Sequence, residues 1–175
     1  MFNPINVSLV QSLLEYRPEL GGSCLAWKVN PRYGIHPGDR AGRMTSRGYW
    51  SVKIQNKHYY AHRLVWAVIN GQDPIHPIDH INGKENGNKI ENLRLAFGGA
   101  KDNGQNMARQ KNNTSGYTGV YWSSNKNKWC AQIKKDGKKR KLGFFDVPEK
   151  AYAAYLTAKQ QLHTFNPVPR DVKKI

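Results

Sequence analysis

The sequence predicts an α+β protein of two domains, the second of which is a three-stranded antiparallel sheet packed on one helix. Short runs of alternating apolar and polar residues indicate strands in both parts of the chain, and apolar residues at helical spacing indicate helices between them. A polar stretch at 111–116 has no apolar periodicity and ends in glycine. Because the charge balance also changes across that stretch, we place a domain boundary there.

The charge of the chain predicts a polyanionic partner. Of 175 residues, 28 are Lys or Arg and 12 are Asp or Glu, which gives a net charge of +16. Residues 107–175 hold fifteen of these basic residues against four acids, so the C-terminal part has most of the excess. Nucleic acid is the first candidate. An acidic membrane surface is the alternative, but no basic amphipathic helix or long apolar run supports it.

Cysteine usage and the first residues predict a cytoplasmic protein, in the host-cell cytoplasm if it is phage-encoded. The start of the chain lacks the basic and apolar regions of a signal peptide, so we do not expect secretion. Cys24 and Cys130 are the two cysteines, and they are far apart in the sequence. Two cysteines fit a reducing compartment and do not provide a multi-cysteine zinc site, so structural zinc is not expected.

The first part of the chain alternates between helical and strand patterns. Gly71 follows the second helix as a left-handed cap. An Asn- and Gly-rich loop at 82–89 separates the last two strands, which we expect to pair as antiparallel neighbours. In chain order, the predicted elements are a helix at 7–16, strands at 24–29, 40–44, 49–54 and 57–61, a helix at 62–70, strands at 78–81 and 93–97, and a helix at 100–109.

The stretch around Asp79 and His80 carries the residues suited to catalysis. A carboxylate next to an imidazole, with carboxamides at Asn92 and Asn103 downstream, provides oxygen ligands for one hard divalent cation and a neutral base beside it. Imidazole suits a general base because its unperturbed pKa is about 6.5. Neighbouring residues of a strand face opposite sides, so Asp79 and His80 share one site only where the strand ends or bulges.

These residues form a pattern that resembles the HNH endonucleases of the phage and homing-endonuclease branch. It consists of Asp79-His80, Asn92-Leu93-Arg94 and Asn103-x-x-Asn106, with His62-Arg63 upstream, and it extends over about half the chain. The resemblance implies a nuclease domain at 1–110 with a ββα-metal (His-Me finger) core at about 76–108. His80 would be the general base, and Asn92 would brace the loop. Asp79 and Asn103 would hold one Mg²⁺ or Mn²⁺ ion, with Asn106 as the alternative one turn further on.

Three residues of this region are candidates for contact with DNA. Arg94 follows the Asn-Leu pair, and His62-Arg63 begins the second helix. Two interpretations of His62 stay open, because a polar residue near a helix start needs no function, whereas many relatives place His-Arg beside the phosphate.

The C-terminal part predicts a sheet of three strands followed by a helix. Strand patterns run from 117, from 128 and from 138, with an Asp136-Gly137 hairpin signal between the last two. Asp146 is the predicted cap of a helix whose alanines, Ala151, Ala154 and Ala158, let it lie close to the sheet. Pro- and Lys-bearing residues 166–175 are expected to be a flexible tail.

This part resembles the Apetala-type (ethylene-response-factor) DNA-binding domain over 115–165, after a linker at 111–114. The resemblance is carried by Gly119-Val120-Tyr121-Trp122, by Leu142-Gly143 and by the alanine- and tyrosine-rich helix. It implies that one face of the sheet lies in the major groove of double-stranded DNA. Where the plant proteins have arginines, this chain has mostly lysines, which contact phosphate as point charges. The residues placed nearest DNA are Tyr121, Ser123, Lys128, Trp129, Gln132, Lys134, Lys139 and Lys141.

Three functions are compatible with these patterns. We favour a metal-dependent DNA endonuclease that acts as a monomer and nicks duplex DNA, because one site hydrolyses one phosphodiester at a time and no heptad offers a dimer interface. The alternatives are a non-catalytic DNA-binding regulator that uses the C-terminal domain and a basic RNA-binding or packaging protein. A regulator has no need of Asp79-His80, and an RNA-binding module would more typically expose aromatic side chains.

Overall fold

The computed structural model describes residues 3–106, 109, 112–163 and 165, and it divides into two compact units, 1–97 and 98–175. Both units mix helices and strands. This division falls between residues 97 and 98, whereas the predicted nuclease domain extends over 1–110 and the predicted linker over 111–114. The domain and the linker remain predictions. The predicted tail at 166–175 lies outside the described residues.

The first unit contains two α-helices and seven strands within its described residues, besides three short 3-10 helices. Asn6 caps the first helix, since its side-chain oxygen accepts a hydrogen bond from the Leu9 N–H at 3.1 Å. In chain order, the elements are α1 (Val7–Leu13), β1 (Leu14–Tyr16), β2 (Leu25–Trp27), β3 (Arg43–Met44), β4 (Trp50–Ile54), β5 (Lys57–Tyr60), α2 (Ala61–Asn70), β6 (Ile78–His80) and β7 (Leu93–Leu95).

Several elements of this unit are shorter than predicted, among them the first helix and the strands predicted at 24–29, 40–44 and 93–97. The first helix ends at Leu13, because Leu14 is extended and starts a strand that pairs with β2. This pairing buries Leu14 in the core. The tertiary contact therefore favours a strand at Leu14, although leucine also has a high helix propensity. The strand predicted at 40–44 is limited to Arg43 and Met44.

One hydrophobic core holds the first unit together. Leu14 and Leu25 meet Leu64 and Val65 of α2 in this core. Gly71 adopts the predicted left-handed conformation and ends α2, and its N–H donates to the Ala67 carbonyl at 3.0 Å. β6 and β7 pair as the predicted antiparallel hairpin. The core thus supports the hairpin that carries Asp79 and His80.

The second unit contains a short helix, a three-stranded sheet and a long helix. The elements are α3 (Ala100–Gln105), β8 (Val120–Ser123), β9 (Lys128–Lys135), β10 (Lys138–Phe145) and α4 (Pro148–Leu162). The sheet is antiparallel with the order β10-β9-β8. This is the sheet-and-helix arrangement predicted for the C-terminal part. The helix predicted at 100–109 is shorter than predicted, because it ends at Gln105 and Asn106 lies in a turn.

Small side chains let α4 lie close to the sheet. Ala151 and Ala158 are buried with Val120, Ala131 and Ile133 in this interface. Gly119 has a φ of +78°, and a Cβ there would lie 2.3 Å from the ring of Tyr155, so only glycine fits.

The two ends of β10 differ in how well the sequence predicted them. Asp136 and Gly137 both have positive φ, as the predicted tight hairpin requires. Asp146 was expected to cap α4, but the N-cap is Val147 and makes no side-chain cap. Asp146 instead forms an ion pair with Lys128 at 3.0 Å, because its carboxylate reaches a lysine across the sheet.

Candidate active site

The β6–β7 hairpin holds both residues of the predicted Asp-His pair. Asp79 lies opposite Arg94, and His80 lies opposite Leu93. β6 ends at His80, where the Gly83 N–H donates to the His80 carbonyl at 2.9 Å and turns the chain. The strand thus ends directly after the pair, and a shared site for the two side chains stays a prediction.

Asp79 is a buried carboxylate paired with a guanidinium. Arg94 donates to the Oδ2 atom of Asp79 from Nε at 3.0 Å and from Nη2 at 2.9 Å. The predicted DNA contact, Arg94, is thus placed as a counterion of the predicted metal ligand. Its side chain keeps about a quarter of its surface exposed (25 %).

His80 is held by a carboxamide that sequence reasoning did not assign. The Nδ2 group of Asn88 donates to the Gly22 carbonyl at 2.8 Å, so the Oδ1 atom of Asn88 faces the ring of His80. The His80 Nε2 atom is 2.9 Å from that oxygen and must donate, because an amide oxygen only accepts. The proton of a neutral His80 is therefore on Nε2, and Nδ1 has the lone pair. Asn88 lies in the Asn- and Gly-rich loop at 82–89, and nothing local in the sequence distinguishes it from the other asparagines there.

His62 lies beside His80 in an aromatic cluster. The two rings are 5.0 Å apart between centroids in an edge-to-face arrangement, and Tyr60 stacks on His62 at 5.5 Å. Burial, with smaller contributions from the charges of His80 and Arg63, lowers the pKa of His62 from 6.5 to about 3. His62 is thus neutral near pH 7, and any contact with phosphate would come from a neutral ring.

Arg63 has a structural contact that accounts for its position. Its guanidinium is buried and bonds to Asp73 at 2.7 Å, and Asp73 also accepts from the Ile5 N–H at 3.0 Å. This pair ties the start of α2 to the loop that follows α2 and to the N-terminal segment. The predicted contact of Arg63 with DNA stays a prediction.

Asn92 braces the loop between the two strands. Its Oδ1 atom accepts from the Asn82 N–H at 2.8 Å, and its Nδ2 group donates to the carbonyls of Gly83 at 3.1 Å and Gly87 at 2.9 Å. All these bonds are to backbone. This geometry is the one that the expected bracing role requires, although that role itself stays a prediction.

The downstream carboxamides belong to the second unit. Asn103 lies in α3, and its side chain is outside what the structure describes. Asn106 follows α3 and is buried. The assignment of Asn103 as a metal ligand therefore remains a prediction.

The basic side chains of the second unit share one face of its sheet. Val120, Trp129, Ala131 and Ile133 pack toward α4, so the alternating residues point the other way. We call this other side the outer sheet face, and seven of the eight predicted DNA contacts lie on it. Trp129 is the exception, because it packs in the cluster with Val120 and Ala131. The outer sheet face consists of Tyr121, Ser123, Lys128, Cys130, Gln132, Lys134, Lys139, Lys141 and Phe144.

The chemistry of the donors fits a hard cation better than a soft one. Asp79 offers carboxylate oxygen, the ligand type that Mg²⁺ and Mn²⁺ prefer. Among the described residues, no group of three or more His, Cys, Asp or Glu is arranged to hold a metal ion. Cys24 and Cys130 are both buried free thiols, and burial raises the pKa of Cys24.

Comparison with known proteins identifies the class. A family model described as HNH endonuclease matches residues 59–96, which run from β5 through the end of the β6–β7 hairpin. That segment contains His62, Asp79, His80, Asn88 and Asn92. This segment of the chain is a domain of the HNH endonuclease family.

The chain is also similar to a phage protein. The chain is 36 % identical over 103 residues to "Protein 3.8" of Escherichia phage T7, and the alignment covers 58 % of this chain and 83 % of that protein. No solved structure matches significantly. In the described part of the chain, we find no helix with the length and apolar character needed to span a bilayer.

Proposed function

We propose that this protein is a metal-dependent DNA endonuclease of the phage or homing type that hydrolyses phosphodiester bonds in double-stranded DNA. The observation that carries the proposal is the hydrogen bond between His80 and Asn88, because it leaves the Nδ1 atom of His80 as the basic atom. A buried imidazole held in one tautomer beside a buried carboxylate is suited to activating water. Membership of the HNH endonuclease family supports the same reaction.

In this proposal, His80 takes a proton from the attacking water. Nδ1 accepts the proton, while Nε2–H stays bonded to Asn88 and keeps the ring in place. The positive charge that develops on the ring lies beside His62, which is neutral and so adds no repelling charge. Asn92 keeps the loop after His80 closed through its backbone bonds.

Asp79 and Asn103 are the proposed ligands of one Mg²⁺ or Mn²⁺ ion. When bound, such an ion stabilises the charge that develops on the phosphate and on the departing 3′ oxygen. Arg94 bonds to Oδ2 of Asp79, which fixes the orientation of the carboxylate. We expect products with 5′-phosphate and 3′-hydroxyl ends.

The outer sheet face is the proposed DNA-binding surface. The three-stranded sheet packed on one helix in the second unit supports an Apetala-type domain. Lys134, Lys139 and Lys141 would contact phosphates as point charges, which gives affinity more than base recognition. One site in a monomer cuts one strand, so the expected product is a nick.

Incubation with supercoiled plasmid in MgCl₂ or MnCl₂ tests the proposal. Nicked circles should appear with either metal and not with a chelator. Asp79→Ala should remove cutting and leave DNA affinity unchanged, whereas the exposed acid variant Glu91→Ala, from the same hairpin region, should cut normally.

Three other outcomes would redirect the proposal. Binding without cutting under every divalent metal would favour the DNA-binding regulator. Linear plasmid without a nicked intermediate would indicate a dimer. Normal cutting by Asn103→Ala together with inactivity of Asn106→Ala would move the second ligand from Asn103 to Asn106.

A further inference from the structure

Lys159 is a buried lysine in α4 that the proposed reaction does not use. It is only 3 % exposed. Its Nζ atom donates to the Gln105 carbonyl at 2.7 Å and is 3.4 Å from Nδ1 of His163. Burying an ammonium group is costly unless it is hydrogen-bonded, so these contacts stabilise the side chain in its buried position.

The bond to Gln105 reaches the end of α3. This helix has six residues, and isolated helices shorter than about 12 residues are marginal in water. The carbonyls of its last turn have no partner within the helix, and a cation there also interacts favourably with the helix dipole. The side chain of Gln105 accepts a second bond from the Phe165 N–H at 3.0 Å. The end of α3 is thus fixed from outside the helix.

His163 continues the connection into the sheet. Its Nε2 atom is 2.9 Å from the carbonyl of Lys134 and must donate to it, so Nδ1 accepts from Lys159. A chain of hydrogen bonds therefore runs from the backbone of β9 through His163 and Lys159 to α3. Lys134, at the β9 end, has its side chain on the outer sheet face.

We propose that Lys159 is a positioning residue that holds α3, and with it Asn103, in the arrangement that metal binding requires. The inference rests on the proposed function, in which Asn103 is a metal ligand. Groups that orient metal ligands from outside typically change metal affinity or activity by about 10–100-fold when removed.

Full-length Lys159→Met tests the inference, with Lys159→Arg as the conservative variant and Lys150→Met as the control. Lys150 is an exposed lysine on the same helix. Amide hydrogen exchange should be faster across 98–106 in Lys159→Met and unchanged across β8 to β10. The Mn²⁺ concentration for half-maximal nicking should rise by about 10–100-fold, while DNA affinity without metal stays the same. Lys159→Arg should restore both values in part, and Lys150→Met should change neither.

Each contrary result has a distinct meaning. Unchanged amide exchange at 98–106 would show that Lys159 does not hold α3. Faster exchange there with an unchanged Mn²⁺ requirement would show that holding α3 does not affect metal binding. If Lys159→Met does not fold, Gln105→Ala replaces it, because this variant removes the bond from Phe165. It should show the same two changes more weakly. If it shows neither change, the proposal that α3 is held from outside is contradicted. Absence of nicking by the unmodified chain would overturn the proposed function, whereas the exchange measurement would still decide whether Lys159 holds α3.

Discussion

The two units of this protein differ in where they place their polar side chains. In the first unit, a histidine pair, an acid and two carboxamides lie buried against a hydrophobic core. In the second unit, lysines lie exposed along the outer sheet face, over a core of alanines and of aromatic and aliphatic side chains, and Lys159 and His163 are the exceptions that lie buried. Buried polar groups with fixed partners suit chemistry, because their geometry and protonation are set by the fold. Exposed lysines suit binding to a polyanion, because they neutralise phosphates and release condensed counterions.

This contrast predicts that the effects of substitutions will separate by unit. Changes at Asp79, His80 and Asn88 of the first unit should alter the cutting rate and leave DNA affinity unaffected. Changes on the outer sheet face should alter affinity and its dependence on salt. Lys159 is the expected exception, since it belongs to the second unit and is proposed to act on metal binding.

The largest expected effect is that of salt on DNA affinity. If the protein neutralises about six to ten phosphates, affinity should fall by ~10³–10⁵-fold between 50 and 200 mM salt. Replacing Lys139 and Lys141 with alanine should lower the slope of log affinity against log salt by about 0.9 for each phosphate that is no longer neutralised. Fluorescence anisotropy with a labelled duplex measures this slope. The control Lys57→Ala/Lys89→Ala removes two exposed charges from the first unit. An equal change of the salt slope in this control would contradict the prediction that DNA affinity depends on the outer sheet face.

Next in size is the loss of the proposed general base. His80→Ala should slow single-turnover nicking at saturating DNA by about 10²–10⁴-fold, the range for general acid–base catalysis. DNA affinity and metal affinity should stay the same, and both are measurable by titration. Loss of metal binding in this variant would instead make His80 a ligand.

A smaller effect is expected from the residue that sets the tautomer of His80. Asn88→Leu removes the oxygen that accepts from Nε2, so part of the population would carry its proton on Nδ1 and be inactive. Nicking should slow by about 10–100-fold. The matched control is Asn86→Leu, an exposed asparagine of the same loop, and equal slowing in both variants would point to a general loosening of the loop.

The smallest effect concerns stability and pH. Because the pKa of His62 is about 3 in the folded state and 6.5 as the ordinary value, the unfolded state binds more protons between these pH values. The contribution of His62 to the free energy of unfolding is therefore fully present above about pH 6.5. It declines toward pH 3 by at most ~1.4 kcal/mol per pH unit. Urea unfolding at several pH values should show a shallower decline in His62→Asn. The exposed His36→Asn should keep the original slope, and an unchanged slope in His62→Asn would contradict the assignment.

Local patterns predicted much of the fold. The hairpin at Asp136-Gly137, the cap at Gly71 and the pairing of β6 with β7 follow from turn chemistry and alternation, which act over a few residues. The start of β1 was missed because Leu14 fits a helical stripe equally well, and its pairing with Trp27 is a tertiary contact.

The site was predictable in its residue types and less so in its contacts. Asp79, His80 and Asn92 are recognisable from their order in the chain. Asn88 is held by the Gly22 carbonyl, and the low pKa of His62 arises from burial beside His80, so neither has a local signal. The side of the sheet on which Trp129 lies follows from alternation with Lys128, and that constraint was available from the sequence.

The burial of both thiols has a practical consequence for labelling. Cys24 is 1 % exposed and Cys130 is fully buried, and the chain has no other cysteine. Thiol-reactive dyes need an accessible thiolate, so neither native site competes under folded conditions. Cysteines introduced at the exposed positions Gln72 and Ser124, one in each unit, would therefore accept a donor and acceptor dye without prior removal of the native pair. Energy transfer between the dyes would then report the distance between the two units as DNA is added.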